Sequence, residues 1–155
     1  MKITVLSVGK VRQEFVLAGE GEYKQRLGKE IKLELQELGI ESPTSMSDSE
    51  VKEREADQLL KKMEQFDYVV VLDEIGKVLT SVELSKIIDL RMQSGTRHLV
   101  FIIGGSFGFS DRVRQAADMV ISLSRLTFPH QIARLILVEQ IYRAHTLMRG
   151  IRYHK

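Results

Sequence analysis

No cysteine occurs among the 155 residues. Disulfides, thiolate zinc sites and cysteine nucleophiles are excluded together, and a reducing compartment suits the chain. Long apolar runs are missing too: none approaches the roughly 18 residues that a membrane helix needs. The opening Met1–Gly9 stretch alternates and is too short for a signal peptide. The expectation is a cytoplasmic protein with no membrane association and no bound metal. Proline is scarce, at two residues: Pro43 in a loop, and Pro129 where a helix begins and its missing N–H costs nothing. A chain of this length makes one domain, residues 1–155, able to bury about 70% of the surface its unfolded form exposes.

What is present alternates strand and helix. Residues 2–8 are rich in Ile and Val and predict a strand, 11–27 a helix weakened by Gly19 and Gly21, and 31–38 a half-buried strand. A loop over Gly39 to Ser49 precedes a charged helix from Asp48 or Ser49 to Phe66. Tyr68–Leu72, Leu99–Ile103 and Met119–Leu123 are short β-branched runs, typical of strands covered on both faces. Between them, Thr80 and Glu83 fit a capping box for a helix to about Gln93, ended by Gly95, and Ser110 is placed to cap a short helix through Ala117. The last helix, about 130–148, is apolar nearly all round. It either packs against a second subunit in a symmetric dimer or crosses the centre of the monomer core.

This order predicts an α/β fold, a mainly parallel sheet with helices on both faces. Ligands collect beyond the carboxyl ends of such strands. Three loops leave those ends: Asp73 to Leu79, Gly104 to Phe109, and Ser124 to Phe128.

The net charge of +2 is unevenly spread. Arg125 to Lys155 holds six basic residues against one acid, Glu139, so that stretch is +5 and residues 1–124 are −3. A basic end suits an anionic partner, and equally a helix whose C-terminus favours cations.

The sharpest motif is Gly104-Gly105-Ser106-Phe107-Gly108, between a buried strand and a helix. Glycines there let backbone N–H groups approach a ligand. Neither the dinucleotide spacing nor a Walker Lys-Ser/Thr is present. The string does match the nucleophile elbow of serine hydrolases. Ser106, Asp111 or Asp118, and one of His130, His145 and His154 would then form a triad. Asp73 and Glu74 are adjacent at a strand end and face opposite ways, so a shared site is not expected. His130 at a helix start is more often structural than catalytic. Glu139 and Arg143 are placed to pair along the helix. A terminal aromatic, imidazole and cation could grip an unpaired base.

Taken in order, Leu72-Asp73-x-x-Gly76, Ile103-Gly104-Gly105-x-x-Gly108, Ser124-x-x-Thr127-Phe128-Pro129-His130, Arg134, Glu139-Gln140-x-Tyr142-Arg143-Ala144 and Tyr153-His154-Lys155 resemble the ribosomal RNA large subunit methyltransferase H family. The start, Lys2 to Lys10, resembles that family as well, so the match spans the whole chain. The resemblance implies a SPOUT-type fold with a C-terminal trefoil knot. It implies a homodimer whose site forms between subunits, and methyl transfer from S-adenosylmethionine to N3 of a pseudouridine in 23S rRNA. The cofactor is then expected at Leu72, Gly104, Leu123, Ser124, Arg125, Leu126, Thr127 and Phe128. RNA contacts are expected from His130, Arg134, Arg143, Arg149 and Arg152, with His154 and Tyr153 as candidates for catalysis. Where the family often carries proline before the tail, this chain has Arg152. The serine hydrolase and a non-catalytic ribosome-binding module remain the alternatives.

Overall fold

The computed structural model of the protein describes residues 1–39, 45–151 and 153. Its elements run β1 (Lys2–Val8), α1 (Glu14–Arg26), β2 (Lys32–Leu38), α2 (Asp48–Met63), β3 (Tyr68–Val78), α3 (Ser81–Gln93), β4 (His98–Ile103), α4 (Asp111–Ala116), β5 (Met119–Ser122) and α5 (His130–Met148). The five strands form one sheet in the order β2-β1-β4-β3-β5, and every neighbouring pair is parallel.

Alternation of side chains divides the core between the two faces. Val5, Val70, Leu99 and Phe101 pack with Leu84 and Ile88 of α3 and Leu137 and Ile141 of α5. Leu6, Val71, Val100 and Ile102 pack on the other face with Ala56 and Leu59 of α2 and Val113 of α4. The sheet is covered on both sides, as its continuous apolar strands require.

Several boundaries differ from expectation for physical reasons. Helix α1 begins at Glu14 because the preceding amides have other partners: Val11 N–H donates to Glu37 Oε1 at 3.1 Å, and the N–H groups of Arg12 and Gln13 donate to Gln131 Oε1 at 2.8 and 3.1 Å. It runs through Gly19, where a β-carbon would meet Leu135 of α5 at 2.8 Å. Helix α2 is capped by Ser47, whose side chain accepts from Glu50 N–H while Glu50 reaches back. That Ser-x-x-Glu box was open to reading in the sequence. The Thr80–Glu83 box is present as expected. Ser110 occupies the cap position of α4 but makes no capping bond, and its buried hydroxyl has no hydrogen-bond partner among the described residues. Pro129 is the cap residue of α5 rather than its first turn. Of the stretch expected as a loop from Asp73 to Leu79, residues 73–76 form a bulge within β3, and Lys77 and Val78 pair with β5 again. Of the loop expected at Gly39 to Ser49, residues 40–44, Pro43 included, lie outside the described residues.

Helix α5 is covered by its own chain on its main faces. Leu137, Val138, Ile141 and Ala144 are buried against the sheet, α1 and α3, so its apolarity alone does not require a second subunit. Arg134 fixes its first turns. The guanidinium is buried, with Nε 2.7 Å from Glu20 Oε1. Nη2 donates to Glu20 Oε2 at 3.0 Å and Nη1 to Ser7 Oγ at 3.1 Å. Burial pushes the Glu20 carboxyl up, with Arg134 opposing. Removing one member of such a pair strands the other charge, at about 3–5 kcal/mol. Arg134→Met is therefore expected to lower the thermal midpoint by on the order of 10 °C, and adding Glu20→Leu is expected to recover most of it. A single variant that melts with the wild type would contradict this account.

Candidate functional site

The carboxyl ends of β3, β4 and β5 surround a pocket of about 450 Å³. Its first wall arises from an irregularity in β3. Both Leu72 and Lys77 pair with Ile121 of β5, so Asp73, Glu74, Ile75 and Gly76 leave the sheet as an excursion. Asp73 Oδ1 accepts from Ile75 N–H at 3.1 Å, and Asp73 Oδ2 lies 3.1 Å from Arg114 Nη1. Arg114 also donates to the Phe109 carbonyl. One arginine thus ties the excursion to the loop after β4. At its far end, Gly76 lies flat on β5: a β-carbon there would stand 2.4 Å from the Ile121 carbonyl carbon and 2.7 Å from its nitrogen. Only glycine fits.

The second wall is the turn after β4. A β-carbon on Gly104 would press on the Phe109 ring at 3.1 Å, and one on Gly105 would come within 2.9 Å of Glu55 Oε1. Glu55 of α2 is buried, and among the described residues it has no ion-pair partner. Burial pushes its carboxyl above the usual range. The third wall follows β5, where Ser122 Oγ donates to the Ser124 carbonyl at 2.7 Å and Leu126 N–H donates to Ser124 Oγ at 3.0 Å.

The structure gathers most of the expected cofactor positions. Leu72, Gly104, Leu123, Ser124, Leu126, Thr127 and Phe128 line the pocket; Arg125 is exposed and does not. Asp73 lies in a segment that the sequence had singled out, whereas Arg114 and Ile103, which share the lining, were not among the expected site residues. Asp73 and Arg114 carry no spacing signal, since they meet only through the fold. The rim exposes large apolar groups, with Leu126 at 73% and Ile75 at 70% of their full accessibility, and Phe107 and Phe128 beside them.

The expected RNA-contacting residues are not brought together. His130 stands at the start of α5, its Nε2 3.5 Å from the Lys10 carbonyl. Arg134 is corrected from a phosphate contact to a buried structural cation. Arg143 is engaged along the helix, its Nε and Nη2 donating to Glu139 Oε1 at 2.9 and 2.7 Å. Arg149 pairs with Glu30 at the opposite end of α5, about 28 Å away at 1.5 Å per residue. Arg152 and His154 lie outside the described residues. Tyr153 packs edge-on against Tyr142, ring centroids 4.9 Å apart, with Arg143 over its ring at 5.0 Å. It does not line the pocket of its own chain. Burial, then a hydrogen bond with Tyr23, pushes its hydroxyl up to about 12.

The hydrolase alternative fails on geometry. Ser106 is exposed at the pocket, and among the described residues no non-glycine residue has positive φ, so the strained elbow is missing. Asp118 is committed to Val69 N–H at 2.7 Å and Asp111 to Arg114. Among the described residues no cluster of His, Asp and Glu is arranged to hold a metal, and no helix is long and apolar enough to cross a membrane.

Residues 1–154 match the family model described as "Predicted SPOUT methyltransferase". The chain belongs to the SPOUT methyltransferase family. Its curated relatives include proteins named ribosomal RNA large subunit methyltransferase H. One from Enterococcus faecalis is 45% identical and one from Lactococcus lactis subsp. cremoris 42% identical, each match covering all of both chains. Among solved structures, the tRNA (m1G37) methyltransferase of Aquifex aeolicus aligns with all of this chain and 73% of its own, at a TM-score of 0.56 and 16% identity. A probable methylase family protein from Haemophilus influenzae aligns with 99% of this chain and 70% of its own, at 0.55 and 8%. These two likenesses show a shared fold.

Two outcomes follow for this SPOUT site. Gly76→Ala forces β3 off β5, at a cost of about 1–3 kcal/mol, and chemical denaturation is expected to show it; an unchanged midpoint would contradict the packing. Glu55→Gln removes a carboxylate that the fold holds above its unfolded-state pKa. The wild type loses stability as pH rises from the ordinary carboxylate range through the raised folded value. The glutamine variant is therefore expected to be the more stable at pH 8, and its advantage to vanish in acid. Parallel pH profiles would contradict the assignment.

Proposed function

We propose that the protein methylates 23S rRNA of the large ribosomal subunit at N3 of a pseudouridine, using S-adenosylmethionine, in the cytoplasm and as a homodimer. The observation that carries the reading is the pocket: three motifs far apart in sequence meet at the carboxyl ends of β3, β4 and β5, in a chain with full-length relatives named for rRNA methylation.

The residues present fit the cofactor. Leu72, Ile103, Leu123 and Leu126 supply apolar walls for an adenine, and the Gly104-Gly105 turn and the Ser124 loop supply backbone donors and acceptors. When bound, S-adenosylmethionine supplies an electrophilic methyl group on a sulfonium whose charge disappears on transfer. Arg114, a cation of the wall, is neutralised by Asp73, which suits a positively charged guest. Holding the cofactor and the target base in register supplies much of the rate.

Tyr153 is a proton donor at neutral pH, as an ordinary tyrosine is, and burial in its own chain pushes its hydroxyl further up. It can orient a uracil-like ring, which leaves the N3 proton to His154 or water. In one chain Tyr153 stands beside Glu139 and Arg143, away from the pocket. A homodimer resolves this by offering each tail to the partner's pocket. The exposed rim of Ile75, Phe107, Leu126 and Phe128 supports such a contact. The knot belongs to the same reading, as the SPOUT family membership implies.

The test is calorimetric titration with S-adenosylmethionine together with methyl transfer to ribosomes lacking the modification. The wild type is expected to bind saturably and Gly104→Val to lose binding. Deleting residues 153–155 is expected to abolish transfer while leaving cofactor affinity intact. No binding by the wild type, or full transfer by the truncated chain, would contradict the reading.

A further inference from the structure

Three of the arginines expected to meet RNA are otherwise engaged: Arg134 is buried, and Arg143 and Arg149 already face carboxylates. The structure offers a different basic element, for which the sequence suggested no role. The segment Gly9 to Gln13 leaves β1 beside the pocket. Val8 ends 3.2 Å from where a Gly105 β-carbon would lie, and His130, two residues past Phe128, stands 3.6 Å from the corresponding point on Gly9.

Its backbone is fixed from several sides. Gly9 N–H donates to the Leu38 carbonyl at 3.0 Å and Val11 N–H to Glu37 Oε1. Gln131 Oε1 accepts from both Arg12 and Gln13. Val11 is buried while Lys10 and Arg12 are exposed. Among the described residues neither Lys10 nor Arg12 has an ion-pair partner. Two cations thus project from a rigid backbone tied to the helix that follows the pocket's third wall. Phosphate contacts made from such a frame set register and orientation rather than sequence.

We infer that Lys10 and Arg12 are positioning residues that grip the phosphate backbone of the substrate RNA beside the target nucleotide, held in register with the methyl donor by the Gln131 clamp. The inference rests on the rRNA methyltransferase reading. A cation without a carboxylate partner has its whole charge to offer a phosphate, whereas Arg143 and Arg149 must first exchange a partner.

The test measures methyl transfer to unmodified ribosomes by wild type, Lys10→Gln/Arg12→Gln, Lys10→Arg/Arg12→Lys and Gln131→Ala, with S-adenosylmethionine affinity and thermal midpoint read alongside. The glutamine pair is expected to raise KM for ribosomes at least tenfold. Its loss should fall on KM rather than kcat or cofactor affinity, and the log–log salt dependence should flatten by about 1.5 for two lost phosphate contacts. The charge-keeping pair is expected to stay near wild type, and Gln131→Ala to raise KM with both cations intact. A photo-crosslinker at position 12 is expected to capture rRNA. KM and salt slope unchanged in the glutamine pair would overturn the inference, as would equal impairment of the charge-keeping pair, an unchanged KM in Gln131→Ala, or capture of ribosomal protein alone. A wild type that binds S-adenosylmethionine yet methylates no ribosome would overturn the parent reading and the inference with it.

Discussion

Strand β3 meets Ile121 of β5 at two of its own residues, Leu72 and Lys77, and the pocket exists because the four residues between them must leave the sheet. The second meeting is possible only because Gly76 has no side chain to hold the two backbones apart. Asp73 then turns that excursion toward Arg114, which also grips the loop after β4. The register irregularity thereby gives one wall and Arg114 ties it to the second, and the serine-tied loop after β5 closes the third. Conformational freedom is restricted before any ligand arrives, which lowers the ordering cost of binding.

Electrostatics divides the molecule differently from the sequence's charge distribution. The +5 C-terminal stretch looks like one anion-binding surface, yet three of its arginines are spread along a helix of about 28 Å and engaged one by one. Arg134 locks α5 to α1, Arg143 pairs within the helix, and Arg149 closes the far end on Glu30. Near the pocket, Lys10 and Arg12 from the other end of the chain join Arg125 as exposed cations without an ion-pair partner among the described residues.

The α/β class, the strand faces and the three segments that line the pocket were readable because they follow from local periodicity and from turn chemistry. Valine and isoleucine runs name buried strands, and glycine after a strand names a close approach. Pairing across long separations was not readable. Nothing in Leu72-Asp73-Glu74-Ile75-Gly76 says that β3 resumes at Lys77, because the cause is the Ile121 backbone 45 residues on. Charge was misread for a like reason: whether an arginine is a surface cation or half of a buried pair depends on Glu20, which lies 114 residues from Arg134. The hydrolase string failed because three glycines and a serine specify composition, while an elbow requires a backbone conformation that Ser106 does not adopt.

The central claim is that the walls built from β3, β4 and β5 hold the methyl donor. Methyl NMR with S-adenosylmethionine titrated into the protein reads that directly. The account predicts saturable shifts at Leu72, Ile103, Leu123 and Leu126, with Ile88 and Leu99 in the distant core unmoved. Saturable shifts confined to the opposite end of the sheet, around Met1 and Met92, or a spectrum that does not change at all, would contradict it.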